Sequence, residues 1–244
     1  MKLKVQNIFL PIYLAFCLLS FIMVKIDTSF LTIPFSFIQY SCIVFGFVIS
    51  FIFRNKETIF ITIGLFFTLC ADFFLVPKIN IHGYIIFSPL GGMISFSLMQ
   101  ISYAIYLFLS QDIKYKKIHI IFRSIASILG IIFPLVLFQQ DVDMVVILTG
   151  FYVANFIVSI IFAFINYRKN SLFAIGLTLF ILCDIATGLA SGVELGYLSI
   201  PEGSLLSWLA FPGFNLGWIF YIPAQVLIVL SSIPNFKKNL SKIA

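Results

Sequence analysis

The chain has 244 residues, 61% of them apolar and 10% charged, with a formal net charge of +6. Globular domains carry about 25% charged residues, so a soluble fold is excluded. A nucleic-acid-binding face is excluded too, because the lysines and arginines sit between apolar runs instead of clustering. What remains is a string of segments near the ~20 residues that cross a bilayer, and in hydrocarbon such segments must be helices.

In chain order the pattern predicts an all-α, polytopic transmembrane helical bundle. It forms a single integral membrane domain over 1–244, with eight spans at about 8–24, 34–53, 58–76, 90–110, 120–138, 143–166, 171–190 and 213–233. The opening MKLK and the run from Ile8 to Val24 imitate a secretion signal. That run is long for one, and no small-x-small cleavage site follows, so a retained first helix is expected. Residues 79–92, broken by Pro89 and Gly91–Gly92, read as a loop against the outer surface. Residues 191–212 read as a short interfacial helix around Leu205–Trp208–Leu209, with Trp208 at headgroup level. Inside the last span Pro223 cannot donate to Ile219 and predicts a kink near Tyr221 and Gln225.

The connections sort by charge. The N-terminus (Lys2, Lys4), the second connection (Arg54, Lys56), the fourth (Lys114, Lys116, Lys117, Arg123), the sixth (Arg168, Lys169) and the tail (Lys237, Lys238, Lys242) hold thirteen of the fifteen basic residues. Only Lys25 and Lys78 fall in odd connections. The positive-inside rule therefore puts both termini in the cytoplasm, as an even number of spans requires. The four cysteines, Cys17, Cys42, Cys70 and Cys183, all fall within spans and read as small apolar core residues.

Two spans carry an acid deep in an apolar run. Asp72 and Asp184 each follow the glycine of an Ile-Gly-Leu by eight residues. An ionisable group in hydrocarbon costs a few kcal/mol and calls for a partner or a purpose. Both spans run outward. Asp72 lies fifteen residues beyond Glu57 and Asp184 fifteen beyond Lys169, so both sit about 22 Å from the inner boundary. In a core of ~30 Å that is the outer half, at matching height. Removal from water disfavours a charged carboxylate, and a second one nearby disfavours it further, so such a pair titrates as a unit. One member can then deliver a proton while the other orients or deprotonates water, chemistry suited to an oxocarbenium-like state. The plainer reading is that each aspartate hydrogen-bonds across helices.

Other chemistries lack their parts. His82 and His119 fall on opposite sides of the membrane, so a shared metal site is not expected. No phosphate-binding glycine loop is present. An intramembrane aspartyl protease would carry G-x-G-D, whereas Cys70-Ala71 and Leu182-Cys183 precede the two acids here. No cofactor is expected.

Four blocks, in order, carry a family likeness. Gly64-Leu65-Phe66-x4-Ala71-Asp72-x2-Leu75, Gly92-x3-Phe96-x3-Gln100-x2-Tyr103, Gly176-x3-Phe180-x3-Asp184-x2-Thr187-Gly188-Leu189-Ala190 and Tyr221-x2-Ala224-Gln225-x-Leu227-Ile228 resemble conserved segments of the YhhN, or lysoplasmalogenase, family of multi-pass membrane proteins. Two positions depart from its pattern. Ala71 replaces a glycine, and Gln100 stands where the family usually has His, keeping hydrogen-bonding capacity but no titratable proton.

The resemblance implies a hydrolase that splits the vinyl ether bond of a lysoplasmalogen into a fatty aldehyde and a glycerophospho-headgroup. Asp72 and Asp184 would then be the acid–base pair. Gln100, Tyr103, Tyr221 and Gln225 would be hydrogen-bonding walls, with Asn155 and Ser95 as further candidates on neighbouring spans. Lys78 and His82, near the outer mouth, would receive the phosphate, against the alternative of a solvated loop. The expected partners are a vinyl ether lysophospholipid and membrane lipid, and the expected place is the plasma (cytoplasmic) membrane of a bacterium. A proton- or ion-coupled carrier using the same aspartates is the competing reading. The oligomeric state is not legible.

Overall fold

The computed structural model describes residues 2–23, 35–75, 79–81, 84–139, 142–194, 196, 198–211 and 216–234. Among these residues nearly all the structure is helical. The long helices are α1 (Lys2–Met23), α2 (Phe35–Phe53), α3 (Ile59–Leu75), α4 (Pro89–Ser110), α5 (Ile113–Phe138), α6 (Met144–Ile165), α7 (Tyr167–Glu194) and α9 (Leu216–Ser231), with a single short helix, α8 (Leu205–Ala210), before the last. Lys25, Lys78, His82 and the tail lysines lie outside the described residues.

Helices α4, α5, α6 and α7 are long and apolar enough to cross a membrane. The apolar stretches Ile8–Met23, Phe37–Phe53, Ile59–Leu75 and Leu216–Ser231 are shorter. The chain is a membrane protein.

Local chemistry sets where several helices begin. Ser88 accepts from the Gly91 N–H at 3.1 Å, and Pro89 follows at the first helical position, where its missing N–H costs nothing. Asp143 caps α6 by accepting from the Val146 N–H at 2.8 Å. Ser204 does the same for α8, whose Leu205 and Trp208 are exposed, as a helix lying at an interface would leave them.

Two sequence expectations need correction. Within 79–92 the chain is not a plain loop, because Ile79–Ile81 (β1) and Tyr84–Ile86 (β2) pair antiparallel and α4 already begins at Pro89. The fourth connection is only Gln111–Asp112, so Lys114, Lys116 and Lys117 ride on the first turns of α5 and Arg123 lies well inside that helix. A short helical turn from Tyr167 precedes the seventh span, and the kink at Asn170 (φ −128°, ψ 22°) separates the two, so the long run begins near 171 as the pattern predicts. At that kink Tyr106 donates to Asn170 Oδ1 at 2.8 Å, Asn166 donates to the Ser110 carbonyl at 2.8 Å and Gln111 to the Phe162 carbonyl at 2.7 Å. These bonds tie the end of α4 to the α6–α7 turn.

The most extensive packing is between α3 and α4 and between α7 and α9, so the pairing of the third and fourth long helices recurs in the seventh and eighth. Small residues permit the close approaches. A Cβ on Gly64 would stand 2.1 Å from the Tyr103 ring, and one on Gly176 2.9 Å from Ile228. At the α5–α6 crossing the contact is backbone to backbone, a Cβ on Gly150 falling 2.2 Å from the Gly130 carbonyl oxygen. Apolar helices gain little hydrophobic energy from meeting in lipid, so such close van der Waals contact is what holds them. Helix α5 is the outermost, with only His119, Gly130 and Pro134 buried.

Since neither backbone at that crossing can move aside, Gly150→Ala should cost about 1–3 kcal/mol through overpacking. Gly188→Ala, where a Cβ meets nothing within 4 Å, should change little. Thermal unfolding of the two variants in the same detergent checks this.

Candidate active site

Helical spacing puts Gly64, Thr68 and Asp72 on one inward stripe of α3. Thr68 donates to the Gly64 carbonyl at 3.1 Å, satisfying its hydroxyl within the helix. Asp72, only 3% exposed, is left needing a partner from elsewhere. It finds one in Tyr221, on the inward stripe of α9 with Ala224 and Gln225, whose hydroxyl donates to Asp72 Oδ2.

Asp184 repeats the arrangement with other helices. It lies on α7, one turn past Phe180 and partly buried. Tyr152 of α6 donates to its Oδ2 at 2.6 Å. Each acid is therefore gripped by a phenol from a neighbouring helix. Among the described residues Oδ1 of each accepts no hydrogen bond. The two carboxyls stand within Coulombic reach of one another, and buried Cys183 lies within reach of both.

An aromatic cluster joins the two Tyr–Asp pairs. The Phe180 ring meets Tyr221 edge-on at 5.2 Å, Phe156 at 5.3 Å and Phe96 at 6.0 Å, and Phe96 lies 5.5 Å from Tyr152. Such contacts surround the acids with aromatic rings and hold both phenols in place.

The other expected residues divide. Gln225, one turn beyond Tyr221, is buried with neither amide atom paired. A buried polar group in that condition calls for a partner the protein does not supply. Tyr103 fills the notch at Gly64 and packs edge-on against Phe173 at 5.0 Å. Its hydroxyl, near Thr68, makes no well-formed hydrogen bond. Ser95 is spent on its own helix, donating to the Gly91 carbonyl at 2.8 Å. Gln100 and Asn155 belong to a different network, built around Arg123. Lys78 and His82 lie outside the described residues. No metal-binding group of His, Cys, Asp or Glu occurs among the described residues.

Sequence reasoning missed Tyr152, His119, Arg123 and Ser159. The signal for Tyr152 was its place one turn before Phe156 and two before Ser159 on the buried stripe of α6.

The YhhN family model matches residues 34–232. The match therefore takes in α2 as well as the helices whose motifs carried the likeness. No curated protein and no solved structure matches the chain.

Removing one phenol strands a buried carboxyl oxygen, a loss of about 1–3 kcal/mol. Tyr152→Phe and Tyr221→Phe should both lower stability by that order. Asp72→Asn should stay close to the parent, because its amide oxygen still accepts from Tyr221. Denaturation followed by intrinsic fluorescence in detergent measures all three.

Proposed function

The chain belongs to the YhhN family, and from that premise we propose that it is a membrane-embedded ether hydrolase. Its substrate would be a lysoplasmalogen, cleaved at the vinyl ether into a fatty aldehyde and a glycerophospho-headgroup. The observation that carries the reading is the pair of carboxyls within Coulombic reach, each held at Oδ2 by a tyrosine hydroxyl.

The tyrosines decide where a proton can sit. The carbonyl oxygen of a carboxylic acid accepts better than its hydroxyl oxygen, so with the phenol donating to Oδ2 a proton on either carboxyl belongs on Oδ1. One aspartate, protonated there, delivers its proton to the vinyl carbon remote from oxygen. The carbon next to oxygen becomes an oxocarbenium centre. The other aspartate, ionised, stabilises that charge and takes a proton from the water that attacks it. The hemiacetal so formed breaks its carbon–oxygen bond to the glycerol, releasing aldehyde and alcohol. Gln225 and Tyr103, with polar atoms unpaired by the protein, are suited to hold the substrate's oxygens.

The same reading takes the eight long helices as eight spans of one integral membrane domain. Both termini then lie in the cytoplasm, in accord with the sorted charges. The shorter helices, of 16 to 19 residues, are near the lower limit for a crossing and would thin the bilayer slightly around them. The plasma membrane of a bacterium is the proposed location.

The test is direct. Purified protein incubated with lysoplasmenyl lipid should release aldehyde. Asp72→Asn and Asp184→Asn should each slow release about 100-fold or more, with folding intact by gel filtration. Intact substrate from folded parent protein would sink the assignment, and full activity in either variant would sink the mechanism.

A further inference from the structure

Beyond the aspartates lies a second polar centre. Arg123, ten residues into α5, sends Nη2 to Ser159 Oγ at 2.7 Å, Nη1 to the Asn155 carbonyl at 2.5 Å and Nε to His119 Nε2 at 3.2 Å. Ser159 in turn donates to Gln100 Oε1 at 2.9 Å. Asn155 Nδ2 donates to Ser127 Oγ at 3.1 Å.

Every one of those partners is neutral, and among the described residues no carboxylate pairs with Arg123. A snorkelling arginine would send its head to the membrane surface. This one instead turns its donors inward onto α6. An uncompensated guanidinium inside a bilayer is strongly disfavoured. Clamping α5 to α6 through neutral partners does not remove that charge.

The surrounding valences are biased one way. Gln100 is 1% exposed and its Nε2, a double donor, has no partner. His119 is 2% exposed and accepts at Nε2, so its proton is on Nδ1, and that atom too has no partner. Both residues, with Arg123, Asn155 and Ser127, line a cleft of about 310 Å³ between α4, α5 and α6. What is left over is a positive charge and two buried donors, so the complementary ligand is an anion that only accepts.

The walls supply the other half of the description. Ile101, Ile105 and Ile120 line the cleft and are exposed on the outer face of the helices, where lipid would lie. Lys116 sits 5.2 Å over the ring of Phe108, another wall residue, adding positive charge.

We infer that this cleft binds the phosphate head group of a membrane lipid, with Arg123, Gln100 and His119 as its donors and the isoleucines flanking its acyl chain. The cleft does not include Asp72, Asp184 or their tyrosines, so the inference stands independently of the hydrolase reading.

Calorimetry on the full chain in neutral detergent tests it, with lysophosphatidate as probe and inorganic phosphate and monoacylglycerol as comparison arms. Lysophosphatidate should bind, and each comparison compound should bind at least about ten-fold more weakly. Arg123→Gln should weaken lysophosphatidate binding by about ten-fold or more. Ala104→Phe, which fills the cleft without touching the polar network, should do the same and decides the matter if Arg123→Gln does not fold. Asp72→Asn should bind as the parent does, which separates this result from the aldehyde assay. Undiminished binding in the folded cleft variants, equal binding of monoacylglycerol, or equal binding of inorganic phosphate would each overturn the inference.

Discussion

Two acids buried in apolar helices are tolerable only because each is answered by a hydroxyl from another helix. Tyr221 reaches Asp72 from α9, and Tyr152 reaches Asp184 from α6. Each bond therefore fixes a helix crossing as well as a carboxyl. Phe180 and Phe96, wedged between the two pairs, pass the constraint across the bundle. The acids are positioned by the same contacts that hold four helices together, so a site of this kind cannot loosen without loosening the fold.

Two polar groups stand apart within the bundle. One, on the side of α3, α7 and α9, holds the two acids and their tyrosines. The other, on the side of α4, α5 and α6, has positive charge and spare donors. Helices α4 and α6 belong to both, since Phe96 and Tyr152 face the acids while Gln100 and Ser159 face Arg123.

The aspartates were legible because a carboxylate in an apolar run stands out against its surroundings. The helices were legible for the same reason in reverse, from long runs bounded by charge. Tyr152 was not, because in a chain with ten tyrosines and 31 phenylalanines one more aromatic offers no contrast. Arg123 was read into a connection because three lysines precede it and the true connection, Gln111–Asp112, carries no turn-forming glycine or proline. Gln100 and Asn155 were noticed as polar intruders, but which neighbour they face depends on the rotation of α4 and α6, and that is set by packing. The β1–β2 hairpin escaped because Ile79–Ile81 and Tyr84–Ile86 are too short to show alternation.

The ring of Tyr103 seated in the notch at Gly64 has a mechanical effect. Together with Leu75 against Gly92, it keys α3 to α4 at two heights, like a tooth in a rack. A helix keyed twice can neither slide along its neighbour nor roll against it. The position of Asp72 along α4 is then set by a glycine two turns below it, so the acid keeps its level beside Tyr103 whatever the ends of the two helices do.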